Sequence, residues 1–411
     1  MAGIGLSRRG SLPLITLAAL ALACAVAGCG APNPATSRRL GAASQHETGV
    51  SRPETLVGKH GAGTGRPAAM RLSATGLPRY FADIVRISGS VAGAGPVQIR
   101  SSATGAVVPH EPAIDALAIA AYDGGSRLLI AQQAGDGCTS QLYRASLGAD
   151  GTLGRLTRLG RVVRGIVTSV ATDTAGGAIG YFAAPCSKSA SGYLAALAAS
   201  TGQVRRWTGV SVYGSQGTLA TGTALSESAN GRLFAFAGAA TGAGGRVTGQ
   251  RVWVLRTSAA SGPLARRIRA VISKPLTGPA LSSVVLSPDG RSFYLCTVST
   301  KGTGSAHKTV TQTAVITARR TADGVGISKL AKLTATGVTF PGQGFGCPMA
   351  LTPNGRYLLA PYQLRYGHST MVGPLVRAAV IRTSTHARRA MSFRLPGSAG
   401  MSVADGISVA W

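Results

Sequence analysis

The residues best suited to chemistry lie in the segment PHEPAID, which contains His110, Glu111 and Asp115. A histidine and two carboxylates so close in sequence can bind a metal ion or activate a water molecule as a general base. The alternative is a solvated loop whose shape is set by its prolines. This polar cluster is the one candidate site for catalysis that the sequence offers.

Signals for other catalytic chemistry are weak. A glycosidase needs two carboxylates in one cleft, but the glutamates beyond residue 29 are only Glu47, Glu54, Glu111 and Glu227. The chain has no Gly-x-Ser-x-Gly or Cys-x-x-Cys motif, and no glycine cluster that leads from a strand into a helix. The sequence therefore predicts no catalytic residue, no metal site and no cofactor, and it favours a protein that is not an enzyme.

The elements that would position the cluster are predicted to be strands joined by tight turns. In VVLSPDGRSFYLCTV, from Val284 to Val298, β-branched and apolar residues flank a Ser-Pro-Asp-Gly turn, whose aspartate is expected to fix the hairpin. The shape recurs, and the turn glycines are Gly125, Gly177, Gly231, Gly290 and Gly355. Their intervals of 52, 54, 59 and 65 residues indicate a repeat with loop insertions.

A second, weaker hairpin follows each of these. RVWVLRTS (Arg251 to Ser258) runs into a turn rich in small residues and then a basic strand, and residues 197–207 and 99–108 share this form with a Thr-Gly turn. Each repeat thus holds four strands and no segment of period 3.6. This is typical of a propeller blade and not of a helical solenoid.

The two ends of the repeat region are predicted to complete each other. The first repeat starts at Gly76 with a strand near Tyr80 and lacks a strand ahead of its turn, whereas VADGISVAW at 403–411 stops before any turn. We expect this C-terminal strand to complete blade 1, which closes an all-β, six-bladed β-propeller without exposed sheet edges. A seven-bladed ring is the alternative.

The turn sequences support a family resemblance. Leu-Ser-Pro-Asp-Gly-Arg at 286–291 and Leu-Thr-Pro-Asn-Gly-Arg at 351–356 resemble the WD-like repeats of bacterial TolB-type and lactonase-type propellers, and residues 76–411 resemble a group of propeller lipoproteins of high-GC actinobacteria. The resemblance implies a fold and no particular reaction, because these motifs are structural. Lactonase-type propellers activate water with clusters such as that at 110–115, so a hydrolase that uses the central funnel is the alternative function.

The N-terminal residues predict export. Arg8 and Arg9 precede an apolar run that ends at Gly28, and VAGC places small residues before Cys29. This resembles a bacterial lipoprotein signal, in which residues 1–28 are removed and Cys29 is lipidated; a plain secretory peptide and an uncleaved anchor are the alternatives. SRRGSL at 7–12 also resembles a twin-arginine signal, so the export route stays open.

Residues 29–75 are predicted to be a flexible linker to a propeller domain at 76–411. The segment is rich in Gly, Pro, Ala, Ser and Thr and has no sustained periodicity. The N-terminal apolar run is shorter than the roughly 20 residues of a spanning helix, so no transmembrane segment is expected after processing. The predicted location is the extracytoplasmic face of the cell membrane, with a lipid as the anchor.

Four cysteines fall in the predicted blades. Pairing Cys138 with Cys186 and Cys296 with Cys347 joins neighbouring blades twice, as is expected in an oxidising compartment. The alternative is buried free thiols.

Charge is the most unusual property of the chain. Its 42 Lys and Arg residues against 13 Asp and Glu give a net charge of +29, which concentrates anions near the surface. Besides the membrane, the expected partners are anionic cell-envelope polymers or envelope proteins. Nucleic acid is disfavoured by the predicted compartment and by an aromatic content of 5%. Arginine pairs at 205–206, 266–267, 319–320 and 388–389 are expected to ring the outer surface with charge; the alternative is a basic composition without a specific site.

These features predict an extracytoplasmic, membrane-anchored propeller lipoprotein that acts as a non-enzymatic binding or scaffold module at the cell envelope. The lactonase-type hydrolase is the alternative, and a sensor for a membrane kinase is a third hypothesis. An enzyme requires histidines and acids that converge at one mouth of the channel, whereas a binding module requires an exposed face.

Overall fold

The structure is a computed structural model, and it describes the propeller domain with gaps. The described residues are 76–87, 94–109, 113–135, 138–186, 192–210, 225–241, 247–271, 280–302, 309–321, 324–336, 348–365, 375–395 and 404–411. They are nearly all β and form six blades arranged as a β-propeller. The predicted fold class is therefore confirmed, and the seven-bladed alternative is excluded.

The first three blades contain the following strands in chain order. Blade 1 contains β1 (Tyr80–Ile87), β2 (Gly95–Ser101), β3 (Val107–Val108) and β4 (Asp115–Ala116). Blade 2 contains β5 (Ala118–Tyr122), β6 (Arg127–Ala134), β7 (Thr139–Ser146) and β8 (Thr157–Arg164). Blade 3 contains β9 (Ile166–Thr172), β10 (Ala178–Ala184), β11 (Gly192–Ala198) and β12 (Val204–Val210).

The remaining strands complete the ring. Blade 4 contains β13 (Ser226–Glu227), β14 (Leu233–Thr241), β15 (Val247–Arg256) and β17 (Arg269–Ala270). Between β15 and β17 in the chain, β16 (Gly262–Pro263) pairs with β12 and extends the sheet of blade 3. Blade 5 contains β18 (Ala280–Leu286), β19 (Ser292–Gly302), β20 (Thr309–Thr321) and β21 (Gly324–Thr336). Blade 6 contains β22 (Ala350–Leu351), β23 (Tyr357–Arg365), β24 (Leu375–Arg382) and β25 (Arg388–Arg394), and β26 (Ala404–Ala410) follows. Short 3₁₀ turns lie at Asp123–Gly125 and Leu264–Arg266.

Hydrophobic clusters lie between neighbouring blades and define the ring. Blade 1 packs on blade 2 through Ile84 and Ile130, among others, and the aromatic contacts between blades 3 and 4 include Phe182 with Phe236, whose ring centroids are 5.3 Å apart. Further clusters fill the seams between blades 2 and 3, 4 and 5, and 5 and 6. A last cluster joins blade 6 to blade 1, so the blades close on themselves.

The closing strand is where the sequence predicted it. β26 pairs with β1 in antiparallel register, with Ala410 opposite Ala82, and so becomes the first strand of blade 1. The indole of Trp411 is buried and donates a hydrogen bond from Nε1 to Ser102 Oγ at 3.0 Å. The C-terminal residues therefore complete blade 1, which leaves no open edge at this seam.

The turns between the first and second strands repeat with one correction. In blades 4, 5 and 6 the N–H groups of Gly231, Gly290 and Gly355 donate to the carbonyl oxygens three residues earlier at 2.8–2.9 Å. In blade 3 the equivalent residue is Gly176, which has φ +71° and donates to Asp173 O at 3.1 Å, and not the predicted Gly177. The sequence contains two adjacent glycines here, and only the backbone angle distinguishes them.

Hydrogen bonds between these turns place them on one face of the ring. The N–H of Asp123 donates to Thr174 O at 2.8 Å, that of Thr174 to Ala229 O at 3.1 Å, and that of Ala229 to Pro288 O at 3.2 Å. Because antiparallel strands alternate in direction, the turns between the third and fourth strands lie at the same face. We call this the turn face. Most connections at the opposite face fall outside the described residues.

Of the predicted cysteine couples, the first is visible as a disulfide. Cys138 and Cys186 are bonded, with their Cα atoms 5.8 Å apart, and join blade 2 to blade 3. Cys296 is buried in β19 and is also disulfide-bonded, whereas its predicted partner Cys347 lies outside the described residues.

Cys29 and the rest of residues 1–75, with the predicted signal and linker, lie outside the described residues as well. In the described part of the chain, no helix has the length and apolar character needed to cross a bilayer.

Candidate functional site

The predicted polar cluster is only partly within the structure. His110 and Glu111 lie outside the described residues. Asp115 is exposed in β4, and its backbone carbonyl accepts a hydrogen bond from Gln132 Nε2 at 2.9 Å. Elsewhere in the described ranges, no three His, Cys, Asp or Glu residues come together as metal ligands. The cluster at 110–115 stays a prediction.

In blades 5 and 6, the side chain at the third position of the turn between the first two strands holds the hairpin together. Asp289 accepts hydrogen bonds from the hydroxyl of Ser287 and from the Arg291 N–H, the latter at 3.0 Å. The bond from Ser287 and the nearby arginines hold the pKa of Asp289 below its ordinary value. In blade 6, Asn354 accepts from Thr352 and Arg356 in the same way without a charge. The aspartate is structural, as the sequence predicted.

Arginines recur at two matching positions of the turn face in blades 4, 5 and 6. The residue after the turn glycine is Arg232, Arg291 or Arg356, and each is exposed. The third-strand residue that pairs with the first residue of the second strand is also an exposed arginine in each blade. The strand register places Arg256 opposite Leu233, Arg319 opposite Ser292 and Arg382 opposite Tyr357. We call these six residues the arginine arc.

The equivalent positions of blades 2 and 3 carry no charge. Ser126 and Gly177 occupy the position that Arg232 and Arg356 have in their blades. In all four cases the backbone carbonyl accepts a hydrogen bond from the N–H of the residue that follows the third strand. The last residues of the third strands are Ser146 and Ala198. The turns of these blades also contain Asp123 and Asp173. Among blades 2 to 6, arginine at both of these positions is therefore confined to blades 4, 5 and 6.

Acids that would neutralise the arc are scarce in the surrounding sequence. Between residues 232 and 395 the only acidic residues are Asp289 and Asp323, and the second lies outside the described residues. The ion pairs among described residues are Arg100 with Asp83 and Arg127 with Asp123. Neither includes an arginine of the arc, and no hydrogen bond joins an arc guanidinium to another described residue. Asp289 acts electrostatically on Arg291 and Arg319 without an ion-pair contact. Among the described residues, the six guanidiniums therefore keep their hydrogen-bond donors for an anion.

The arginine pairs singled out from the sequence are exposed where described. Several of their guanidiniums also donate hydrogen bonds to backbone carbonyls of a neighbouring blade. Arg205 donates to Thr257 O at 2.8 Å, Arg388 to Lys332 O at 3.0 Å and Arg389 to Ser102 O at 2.9 Å. They are in part ties between blades. Of the arc, sequence reasoning singled out only Arg319, as part of the pair at 319–320, although the Gly-Arg dipeptide of three turns was a visible sign of the others.

A further arginine is buried at the seam between blades 1 and 6. Arg100 is 1% exposed, and its Nε donates to Asp83 Oδ1 at 3.0 Å and its Nη1 to Gly105 O at 3.1 Å. The guanidinium carbon lies 4.7 Å from the centre of the Phe393 ring. Burial raises the pKa of Asp83 to about 6, although Arg100 acts in the opposite direction. This pair is enclosed and belongs to the architecture of the ring.

Glu227 is the other buried acid of the described chain. It lies at the end of β13 in blade 4, and its carboxylate oxygens have no hydrogen-bond partner among the described residues. Burial raises its pKa well above the ordinary value, and the negative charge of Asp173 acts in the same direction. A buried carboxyl group with a raised pKa and one other acid in its surroundings does not form a catalytic pair by itself.

The chain was compared with known proteins. No family model matches the sequence, and no curated protein matches it. Three similar solved structures illustrate the likeness. The periplasmic gluconolactonase of Pseudomonas aeruginosa is 14% identical, with TM-score 0.43 over 77% of this chain and 97% of that one. The β-propeller domain of Cps50 (Swd1) from Myceliophteria thermophila is 14% identical, with TM-score 0.39 over 79% and 86%. The putative TolB of Agrobacterium tumefaciens is 12% identical, with TM-score 0.34 over 64% and 92%. These neighbours are β-propeller proteins, and the likeness concerns the fold alone.

Proposed function

We propose that this propeller is a non-enzymatic binding module of the cell envelope that recognises anionic partners through its turn face. A lipid on Cys29 holds it at the extracytoplasmic side of the membrane, and residues 29–75 serve as the tether. The observation that carries the proposal is the arginine arc, six exposed guanidiniums whose charge no described carboxylate pairs with.

Physical chemistry explains why such an arc favours binding. Exposed guanidiniums of like sign raise the local potential, and they attract anions most strongly where no acid of the same chain neutralises them. A guanidinium forms charge-assisted hydrogen bonds that are shorter and stronger than neutral ones, and it presents two parallel donors to a phosphate or carboxylate. The long arginine side chains of the arc extend from neighbouring strands over the turn face, so they can bind an anion on this surface without a cleft.

The N-terminal pattern and the disulfide support the location. Arg8, Arg9 and the apolar run before Cys29 are typical of a lipoprotein signal. The bond between Cys138 and Cys186 is of the kind that persists in oxidising compartments. The linker is long enough to let the ring reach partners beyond the lipid headgroups.

Fractionation and binding of the full-length protein test the proposal. The wild type is expected in the membrane fraction, and the Cys29→Ala variant is expected to lose its lipid and leave that fraction. The detergent-solubilised wild type should bind isolated envelope fragments at low salt and release them at high salt. Failure of the wild type to bind at low salt would overturn the proposal. Lactone hydrolysis that disappears in His110→Ala would show an enzyme instead.

A further inference from the structure

We propose that the arginine arc binds a linear phosphodiester polymer that runs along the turn face over blades 4, 5 and 6. This inference rests on the proposed function and names the ligand class and the binding surface. The arc repeats the same two positions in three consecutive blades, one after the turn glycine and one on the third strand opposite the first residue of the second strand.

The repeat matches a ligand with repeated charges. Arg232, Arg291 and Arg356 occupy equivalent sites on blades related by rotation about the ring, so their spacing is set by the fold. A polymer with one phosphate in each unit presents anions at regular intervals, and several contacts on one chain strengthen each other because the second and third are intramolecular. Each phosphate can take two parallel hydrogen bonds from one guanidinium.

The turns hold these arginines in place before any ligand arrives. The N–H of Arg291 donates to Asp289 Oδ1 at 3.0 Å, that of Arg356 to Asn354 Oδ1 at 3.0 Å, and that of Arg232 to Asn230 Oδ1 at 3.1 Å. The backbone of all three sites is therefore fixed by the same side-chain bond. Less ordering is left for the binding event, which favours affinity.

The other half of the turn face distinguishes a polymer from a flat membrane. A membrane surface would meet blades 2 and 3 together with blades 4 to 6. In blade 2, Asp150 is exposed on a turn of this face, and in blade 3, Asp173 is half-buried on another. Neither forms an ion pair with a described residue, whereas Asp123 pairs with Arg127, so Asp150 and Asp173 would oppose an anionic bilayer there. A flexible chain can follow the arc and avoid these carboxylates. The asymmetry of the face thus favours a polymer over a lipid surface.

Two charge-matched variants of the full-length protein test the inference. The arc variant is Arg232→Gln, Arg291→Gln, Arg356→Gln. The control variant is Arg155→Gln, Arg161→Gln, Arg164→Gln, three exposed residues in or next to the outer strand of blade 2. Both lose the same charge. The thermal midpoint of the arc variant is expected to stay that of the wild type, because the replaced side chains are exposed and unpaired among the described residues.

Affinity for a synthetic poly(glycerol phosphate) chain is measured at several salt concentrations, in neutral detergent. The arc variant is expected to bind at least about tenfold more weakly, whereas the control stays within about twofold. Since each lost phosphate contact lowers the slope of log affinity against log salt by about 0.7, the arc variant's slope should fall by about 2. Equal losses in both variants would overturn the inference, because net charge alone would then explain binding.

Further arms separate the possible failures. Vesicles of phosphatidylglycerol in phosphatidylcholine are offered in place of the polymer; an arc-dependent loss on vesicles without one on the polymer would mean a membrane surface and would overturn the inference. If the arc variant loses binding to envelope fragments but binds the polymer as well as the wild type does, the polymer is refuted as the ligand and the proposed function stands. If the wild type and both variants bind envelope fragments equally well, the arc is refuted, and the inference and the proposed function fail together. Wild type that binds neither fragments nor polymer at low salt would refute both.

Discussion

Two regions of this ring use arginine in opposite ways. At the seam of blades 1 and 6, Arg100 is enclosed, paired with Asp83 and stacked near Phe393. On the turn face of blades 4 to 6, six arginines are exposed, and no described carboxylate pairs with them. The contrast shows that residue type alone does not tell whether a charge stabilises the fold or serves a partner.

The physical difference lies in solvation. A buried guanidinium has given up its water, so it is tolerated only when an ion pair and hydrogen bonds replace that water, and the loss of one partner is costly. An exposed guanidinium keeps its water, contributes little to the free energy of unfolding and can exchange water for a ligand. Seam variants should therefore change stability, and arc variants should change binding.

Removal of the closing strand should have the largest effect. A chain lacking residues 404–411 loses the pairing of β26 with β1 and the packing of Trp411 between blades 1 and 6. We expect it to lose cooperative thermal unfolding at the wild-type temperature, and to expose an unpaired edge that promotes aggregation. Calorimetry and light scattering check this. An unchanged midpoint would contradict ring closure, and the arc variant is the control that should keep it.

Arg100→Met should destabilise the ring by about 3–5 kcal/mol, since Asp83 is left buried without its partner. Loss of Arg100 removes the charge that holds the pKa of Asp83 down to about 6, so this pKa rises further. An acid whose pKa is raised in the folded state stabilises the fold at low pH, and this stability is lost as the pH rises to the folded-state pKa. In the wild type the loss is complete just above pH 6, whereas in the variant, whose Asp83 has a higher pKa, it continues above pH 6. The cost should be larger at pH 8 than at pH 5.

Denaturant unfolding at both pH values measures that cost. Arg127→Met is the matched control, because Arg127 pairs with Asp123 at 3.4 Å but both side chains are partly exposed. An exposed pair contributes about 0–1 kcal/mol. Equal effects of the two substitutions would contradict the distinction between buried and exposed arginines.

Replacement of arc arginines by lysine should have an intermediate effect on binding. Arg232→Lys, Arg291→Lys, Arg356→Lys keeps the charge and loses the planar fork that binds phosphate with two hydrogen bonds. We expect affinity for poly(glycerol phosphate) to fall about threefold, with the thermal midpoint unchanged; titration calorimetry gives both the affinity and the enthalpy. The control is the same exchange at positions 155, 161 and 164. Unaltered affinity would mean that charge acts without geometry.

Asp289→Asn should have the smallest effect and should sharpen the contrast between blades 5 and 6. Its lowered pKa gives stability that is present above the unfolded-state value near 4 and is lost as the pH falls. The asparagine keeps the turn bond, as Asn354 does, without titrating. Because Asp289 is exposed and solvent screens its interactions, we expect wild type to lose only a few tenths of a kcal/mol, about 0.3, relative to the variant between pH 5 and pH 3. Denaturant unfolding across this range would refute the idea if both proteins responded alike.

Much of the architecture was predictable because it depends on local signals. Turn sequences such as SPDG, the alternation of apolar residues and the missing strand of the first repeat led to four-stranded blades, six of them, and to closure by the C-terminal strand. The pairing of Cys138 with Cys186 followed from the assignment of each to a neighbouring blade. The polar cluster at 110–115 and the lipidation of Cys29 remain predictions.

The arc was not predictable from the sequence, because its two sets of arginines are about 25 residues apart in each blade. Strand register brings Arg256 next to the turn that contains Arg232, and no pattern along the chain shows this. The arginine pairs, of which only 319–320 includes an arc residue, drew attention because adjacent charges are conspicuous in a sequence. The hydrogen bonds of these pairs to neighbouring blades depend on how the blades pack.

The sequence by itself determined the repeat, the number of blades, the junction of the two chain ends and the excess of positive charge, since backbone angles and side-chain polarity act over a few residues. Only the tertiary structure decided which arginines are enclosed with an acid and which face solvent on blades 4 to 6. The reason is that the environment of a charge is set by strands and blades distant in sequence, whose relative positions exist only after the ring has closed.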